Sequence, residues 1–150
     1  MYRIILTRKL RQVFESINAG DYGPAQAAFR QGSAHWFSGT HALGGERSTL
    51  EDIAKWYERL GRLFPDLTFE IKNIGVSGWP WNAIATVEWV GHLSDRNGTQ
   101  YSNIGVHILK FSGNVAKSLH IYCDTKLLEE VLGALHEQGV EEASAQPIST

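Results

Sequence analysis

The apolar side chains Ile5, Leu6, Leu10, Val13, Phe14 and Ile17 recur at three- and four-residue steps, the spacing of one face of an α-helix, and Asn18-Ala-Gly20 supplies a stop. Asp21 reads as the N-cap of a short second helix running through Pro24, tolerated in a first turn, to about Phe29. Ser33 to Ser38 predicts a short aromatic strand, followed by the glycine-punctuated loop Gly39-Thr-His-Ala-Leu-Gly-Gly45. Ser48-Thr-Leu-Glu51 has the form of a capping box and opens a third helix, whose stripe is Ile53, Trp56, Tyr57, Leu60, Leu63 and Phe64 and whose end is marked by Pro65. From Leu67 the period changes to two. Strands are predicted over Leu67–Val76, Ala83–Leu93, Gln100–Phe111 and Val115–Asp124, divided by Gly78-Trp-Pro80, Asn97-Gly98 and Gly113-Asn114. A last helix is expected from Leu127 to about His136.

Totals narrow this pattern. At 150 residues the chain suits one domain, here 1–138, with 139–150 expected to be a frayed tail. Lys and Arg total 14 against 16 Asp and Glu, a net charge of −2 with no basic stripe, which argues against nucleic acid as a partner. The single Cys123 makes no internal disulfide, the apolar runs are too short for a bilayer, and the first residues lack a signal-peptide core. The expectation is a cytoplasmic protein with neither a membrane nor a nucleic-acid partner.

Hairpin turns set which side chains meet, because opposed residue numbers around a tight loop sum to a constant. With Gly113-Asn114 as a two-residue turn the sum is 227, placing His107 opposite His120 and Asn103 opposite Asp124. With Asn97-Gly98 as another it is 195, placing Glu88 opposite His107 and His92 opposite Asn103. The expected result is a polar row, Glu88–His107–His120, beside a second, His92–Asn103–Asp124, on a face that turns apolar towards Ile84, Leu109 and Phe111. Val87, Trp89, Ile104, Val106, Ile108, Leu119 and Ile121 then fall on the other face. A sheet apolar on both sides needs two covers, so a homodimer is expected through Trp89, Val106 and Ile121. The alternative is that the polar rows are the solvated side of a half-buried sheet.

On this register Glu88 and His107 form an acid–base couple, since a carboxylate orients an imidazole and favours its charged form. His120 and Asp124 are the second acid or base. Tyr122, Asn103, His41 on the glycine-rich loop, Trp36, Tyr57 and Phe111 are candidates for holding a small apolar ligand. His41, His107 and His120 fit no standard metal spacing, and neither metal nor cofactor is expected.

The order helix-helix-strand-helix and four antiparallel strands, with Asn18-Ala-Gly-Asp21, Gly39-x-His-x-Leu-x-Gly45, Phe64-Pro-Asp-Leu67 and Gly113 before a strand ending Tyr122-Cys-Asp-Thr125, resembles SnoaL-like proteins of the nuclear transport factor 2-like superfamily over residues ~10–130. That resemblance implies an α+β fold: a cone-shaped, mainly antiparallel sheet wrapped over helices around an apolar pocket. Relatives include polyketide cyclases, ketosteroid isomerase, scytalone dehydratase and limonene epoxide hydrolase. The pocket positions of the isomerase fall on Val13, Phe37 and His107, so its acid set is absent. The cyclases' acid–base aspartate falls on His120, and paired histidines are similar to those of the dehydratase. The resemblance thus implies a cofactor-free isomerase, cyclase or dehydratase acting on a small apolar molecule; the alternatives are an epoxide hydrolase acting through Asp124, or a non-catalytic ligand-binding or protein-interaction module.

Overall fold

The computed structural model describes residues 1–150. Four α-helices, α1 (Tyr2–Asn18), α2 (Gly23–Ala27), α3 (Leu50–Leu63) and α4 (Thr125–Glu137), accompany strands β1 (Phe29–Phe37), β2 (Gly45–Arg47), β3 (Thr68–Trp79), β4 (Asn82–Ser94), β5 (Gln100–Ser112) and β6 (Val115–Cys123). The strands form one curled sheet in the order β2-β1-β6-β5-β4-β3, antiparallel throughout except for the β1–β6 pair. This is an α+β cone. Its interior holds Leu6, Leu10, Phe14 and Ile17 of α1, the Ile53/Trp56/Leu60/Leu63 stripe of α3, and alternate residues of β4 to β6. Gly20, at φ +82, closes α1, and the Asn18 side chain ties the helix end to β3 through both the N–H and the C=O of Phe69. No helix is long and apolar enough to cross a membrane.

Several sequence expectations move. The cap of α3 is Thr49, which accepts from Asp52 N–H, one residue on from the Ser48 box. Residues 139–150, expected to fray, are tied down. Glu141–Ser144 form a 3-10 turn, Glu142 takes both Arg59 and Arg62, and Thr150 bonds Glu46, Ser48 and Asp52.

The largest correction is the register. Opposed residues of β4 and β5 sum to 194, not 195: Asp95 N–H donates to Thr99 C=O, so the loop proper is the three residues Arg96-Asn97-Gly98, with Gly98 at φ +84. Opposed residues of β5 and β6 sum to 227 beside the turn but 228 beyond Lys117, which bulges out of the ladder. A one-residue slip exchanges the faces. His107 therefore lies opposite Val87 and Ile121, pointing into the cone, while Glu88 opposes Val106 and His120 opposes Ile108 on the outside. The row Glu88–His107–His120 does not form. Trp89 and Ile121, assigned to a dimer face, are buried inside at 5 % and 2 % exposure.

One cross-strand pair shows why this register is held. Trp89 sits opposite Gly105, and its indole lies across the missing side chain: a Cβ on Gly105 would meet Trp89 Cη2 at 2.3 Å and the Tyr122 carbonyl oxygen at 2.6 Å. Gly105→Ala is expected to destabilise the fold by about 2 kcal/mol through overpacking, measured by urea denaturation. Unchanged stability would show that the Trp89–Gly105 contact is not what fixes the pairing.

Candidate functional site

The structure divides the sequence-predicted residues into three groups. Glu88, His120, Tyr122 and Trp36 lie on the outer face, where the Trp36 ring meets His120 and Tyr122 at centroid distances of 5.0 and 5.1 Å. Asn103, Asp124 and His41 are occupied by the backbone. Asn103 braces Asp124 by two 3.0 Å bonds to its N–H and C=O, and the Asp124 carboxylate caps α4 by accepting from Leu127 N–H. His41 accepts from Leu43 N–H and donates to Ser38 C=O, so both ring nitrogens hold the glycine-rich loop together, away from the cone. Only His107, Tyr57 and Phe111 reach the interior cavity.

That cavity lies between α1, α2, the Tyr57 side of α3 and the inner sheet face, with Leu10, Val13, Phe14, Leu109, Phe111 and Leu119 supplying most of its wall. Its free volume, about 40 Å³, holds roughly two or three waters, so a larger guest must displace part of the wall. A second apolar cavity of about 50 Å³ begins on the other side, walled by Trp89, Phe69, Leu67 and Leu128. Trp89 stands between the two. Its indole N–H donates to His107 Nδ1 at 2.8 Å, which fixes the tautomer: Nδ1 is the acceptor, so the proton of the neutral ring is on Nε2. Nε2 bonds no protein group, and the surface that leaves His107 only half-buried is cavity surface. Burial among Phe14, Phe69 and Trp89 pushes its pKa down to about 3, with no carboxylate to oppose it. His107 is therefore a neutral hydrogen-bond donor at physiological pH, in place of the charged half of an acid–base couple.

A second polar cluster was not anticipated. His35 and Arg47 are cross-strand partners on β1 and β2, both fully buried. His35 Nε2 lies 3.3 Å from the Tyr57 hydroxyl, and Arg47 stands 5.5 Å over the Trp56 ring while donating to the carbonyls of Gly44 and Gly45. His35 Nδ1 and Arg47 Nε and Nη1 have no partner. Burial, reinforced by the Arg47 charge, holds His35 well below the ordinary imidazole range, and burial lowers Arg47 to about 10. Nothing in the sequence pattern marks an arginine as interior; the Trp89–Gly105 opposition was the one local signal that would have brought His107 inward.

The SnoaL-like domain family matches residues 10–116. The chain belongs to the SnoaL-like family. Solved structures share its fold at low identity. An NTF2-like protein of unknown function from Burkholderia pseudomallei K96243 is 15% identical, with TM-score 0.72, over 83% of this chain and 95% of its own. A protein from Jannaschia sp. CCS1 assigned as a SnoaL-like polyketide cyclase is 12% identical, with TM-score 0.67, over 86% and 92%. TerC, co-crystallised with polyporic acid, is 11% identical, with TM-score 0.67, over 83% and 95%. No curated protein matches the sequence.

The two histidines inside this SnoaL-like cone contribute to its acid response. Both are neutral in the fold and gain a proton on unfolding below pH ~6.5, so the unfolded chain binds more protons there and stability falls as pH drops towards the folded values. Between pH 6.5 and 5 the expected loss from the His107 ring is about 2 kcal/mol, and a His107→Asn variant should lose about 2 kcal/mol less over that interval in urea titrations. An imidazole at position 107 that titrates near 6.5 by NMR contradicts the buried placement.

Proposed function

We propose that the chain is a cofactor-free SnoaL-like pocket protein whose cone binds a small, largely apolar, carbonyl-bearing molecule and polarises its oxygen through His107 Nε2–H. The observation that carries this reading is the 2.8 Å Trp89–His107 bond, which turns the only unshared imidazole donor of the cone towards the cavity. In an apolar site such a bond is strong, because water does not compete for it. As negative charge grows on the carbonyl oxygen during loss of an α-proton, the donor stabilises it. That is chemistry of the isomerase, cyclase or lyase kind. The lining contains no carboxylate, so the α-proton passes to a base from solution, hydroxide or a buffer anion, and the cone's own part is to hold the oxyanion. TerC holding polyporic acid and a neighbour assigned as a polyketide cyclase support small-molecule work on this scaffold. Glu88, His120 and Asp124 stand outside the cone, which removes hydrolysis through Asp124 from this reading.

1-Indanone and its oxygen-free isostere indane test the proposal. The ketone is expected to bind about tenfold more tightly, followed by Trp89 fluorescence and the His107 resonances, and a His107→Leu variant should bind the two alike. Wild-type protein should also speed exchange of the ketone's α-protons with deuterated water. Binding without exchange would make the chain a ligand carrier; equal binding of both compounds, or of neither, removes the site.

A homodimer belongs to the same reading, through a corrected face. Ile84, Ile104 and Tyr122 are 42 %, 68 % and 41 % exposed on the outer sheet, alongside Val90 and Val106, within a rim of Lys72, Glu88, Lys110 and Asp124 that carries both signs. A two-fold axis lets such a rim pair with itself. Ile104→Asp is expected to shift the protein from dimer to monomer in light scattering while leaving the fold intact; a wild-type monomer at micromolar concentration rejects it.

A further inference from the structure

The SnoaL-like cone carries charge of one sign. Arg47 is fully buried, has two guanidinium nitrogens without partners, and is paired with no carboxylate. Interior cations normally have a counter-ion, since desolvating a lone one costs several kcal/mol. The carboxylates nearest in sequence act on it only from a distance: Glu46, exposed on the opposite face of β2, and Asp52, which accepts from Thr150, both favour its charge, but neither forms an ion pair with it. Arg59, the other cation close by, is held by Glu142. Behind the cavity wall there is thus a free positive charge. In the wall itself Lys9 is the only charged side chain.

Two hydrogen-bond donors connect this charge to the cavity. His35 stays neutral beside Arg47, with its Nε2 3.3 Å from the Tyr57 hydroxyl; in the tautomer that carries the proton on Nε2, which spares the unpartnered Nδ1 an N–H, the ring donates to the Tyr57 oxygen. The Tyr57 O–H hydrogen is then free for the cavity that Tyr57 lines, as is the Nε2–H of His107. Burial works against charge at Tyr57, and the Arg47 charge opposes it in the direction that favours an anion beside that hydroxyl.

We propose that the cone takes its ligand as an oxyanion, a phenolate or enolate on a small conjugated apolar skeleton, with Tyr57 and His107 donating to the charged oxygen and Arg47 and Lys9 acting as its counter-charges. The inference rests on the cone being the ligand site, and it names the ionisation state bound there. Room for such a molecule comes from α1. The helix is pinned at its ends, by Tyr2 to Gly113 C=O and by Asn18 to Phe69, whereas over the cavity only the packing of Leu6, Leu10, Val13 and Phe14 holds it.

4-Nitrophenol, whose ionisation is visible in its absorption, and 4-nitrotoluene, a neutral molecule of the same shape, separate the possibilities. Wild-type protein is expected to bind the phenolate at least tenfold more tightly than the toluene, and to lower the pKa of bound nitrophenol by about one unit, the shift that a tenfold preference for the anion requires. Arg47→Gln should abolish the preference while toluene affinity stays unchanged. Tyr57→Phe, which preserves the buried ring, should reduce it in the same way and keeps the test decisive if the Arg47 variant fails to fold. If the toluene binds and the phenolate binds no better, or if both variants keep the preference, the oxyanion inference is overturned and the cone remains a pocket for neutral molecules. If neither compound perturbs Trp89 or His107, the cone is not a ligand site and both readings fall.

Discussion

The bond from the Trp89 indole to His107 organises the interior. It requires Gly105, because any side chain there would occupy the space of the ring. Through that glycine it allows only one pairing of β4 with β5, and so decides which half of the sheet residues line the cone. It also settles the protonation of His107, since an Nδ1 that accepts from an indole leaves the proton on Nε2. Trp89 in turn forms part of the partition between the two apolar cavities, with its face against Phe69 and its N–H towards His107. A single contact thereby couples strand register, tautomer and pocket shape.

Electrostatics follow from that arrangement. A histidine beside a carboxylate becomes a stronger base; one surrounded by Phe14, Phe69 and Trp89 becomes a weak base and a persistent N–H donor. The carboxylates that would have reversed this, Glu88 and Asp124, are one strand position out of phase or committed to a helix cap. On the outer face Glu88 meets water, between Asn73 and Val106. Chemistry in the cone therefore depends on stabilising charge on a guest's oxygen within a wall of aliphatic and aromatic groups.

Element order was legible because it rests on periodicity: the three- and four-residue steps of α1 and α3 and the two-residue alternation after Leu67 each survive errors of a residue or two at their ends. The polar rows were not, because facing depends on parity. Asn97-Gly98 has the look of a two-residue turn, yet Asp95 binds the N–H groups of Asn97 and Thr99 and makes the loop odd. Near the other turn the pairing was read correctly as far as Phe111 and Ala116; the bulge at Lys117 then moved every later pair by one. Trp89 and Gly105 held the compensating information, since a large ring opposite a glycine is a favourable cross-strand pair. Arg47 left no such trace, because its interior position is set by tertiary contacts, the pairing of β2 with β1 opposite His35 and the Trp56 ring, that no local pattern encodes.

This division of the sheet explains how one scaffold accommodates different chemistries. The ladder bonds that fix the register belong to the backbone, whereas the guest meets side chains from every second position of β4 to β6 and from the apolar stripe of α1. Those positions can exchange polar for apolar groups without touching the pairing, provided that volume is kept. Here the exchange has left a cone with donors, a buried cation and no base of its own. The residues that would supply a carboxylate are present in the chain but face the solvent side of the same strands, so a change of function would require new side chains inside the cone rather than a new arrangement of the existing ones.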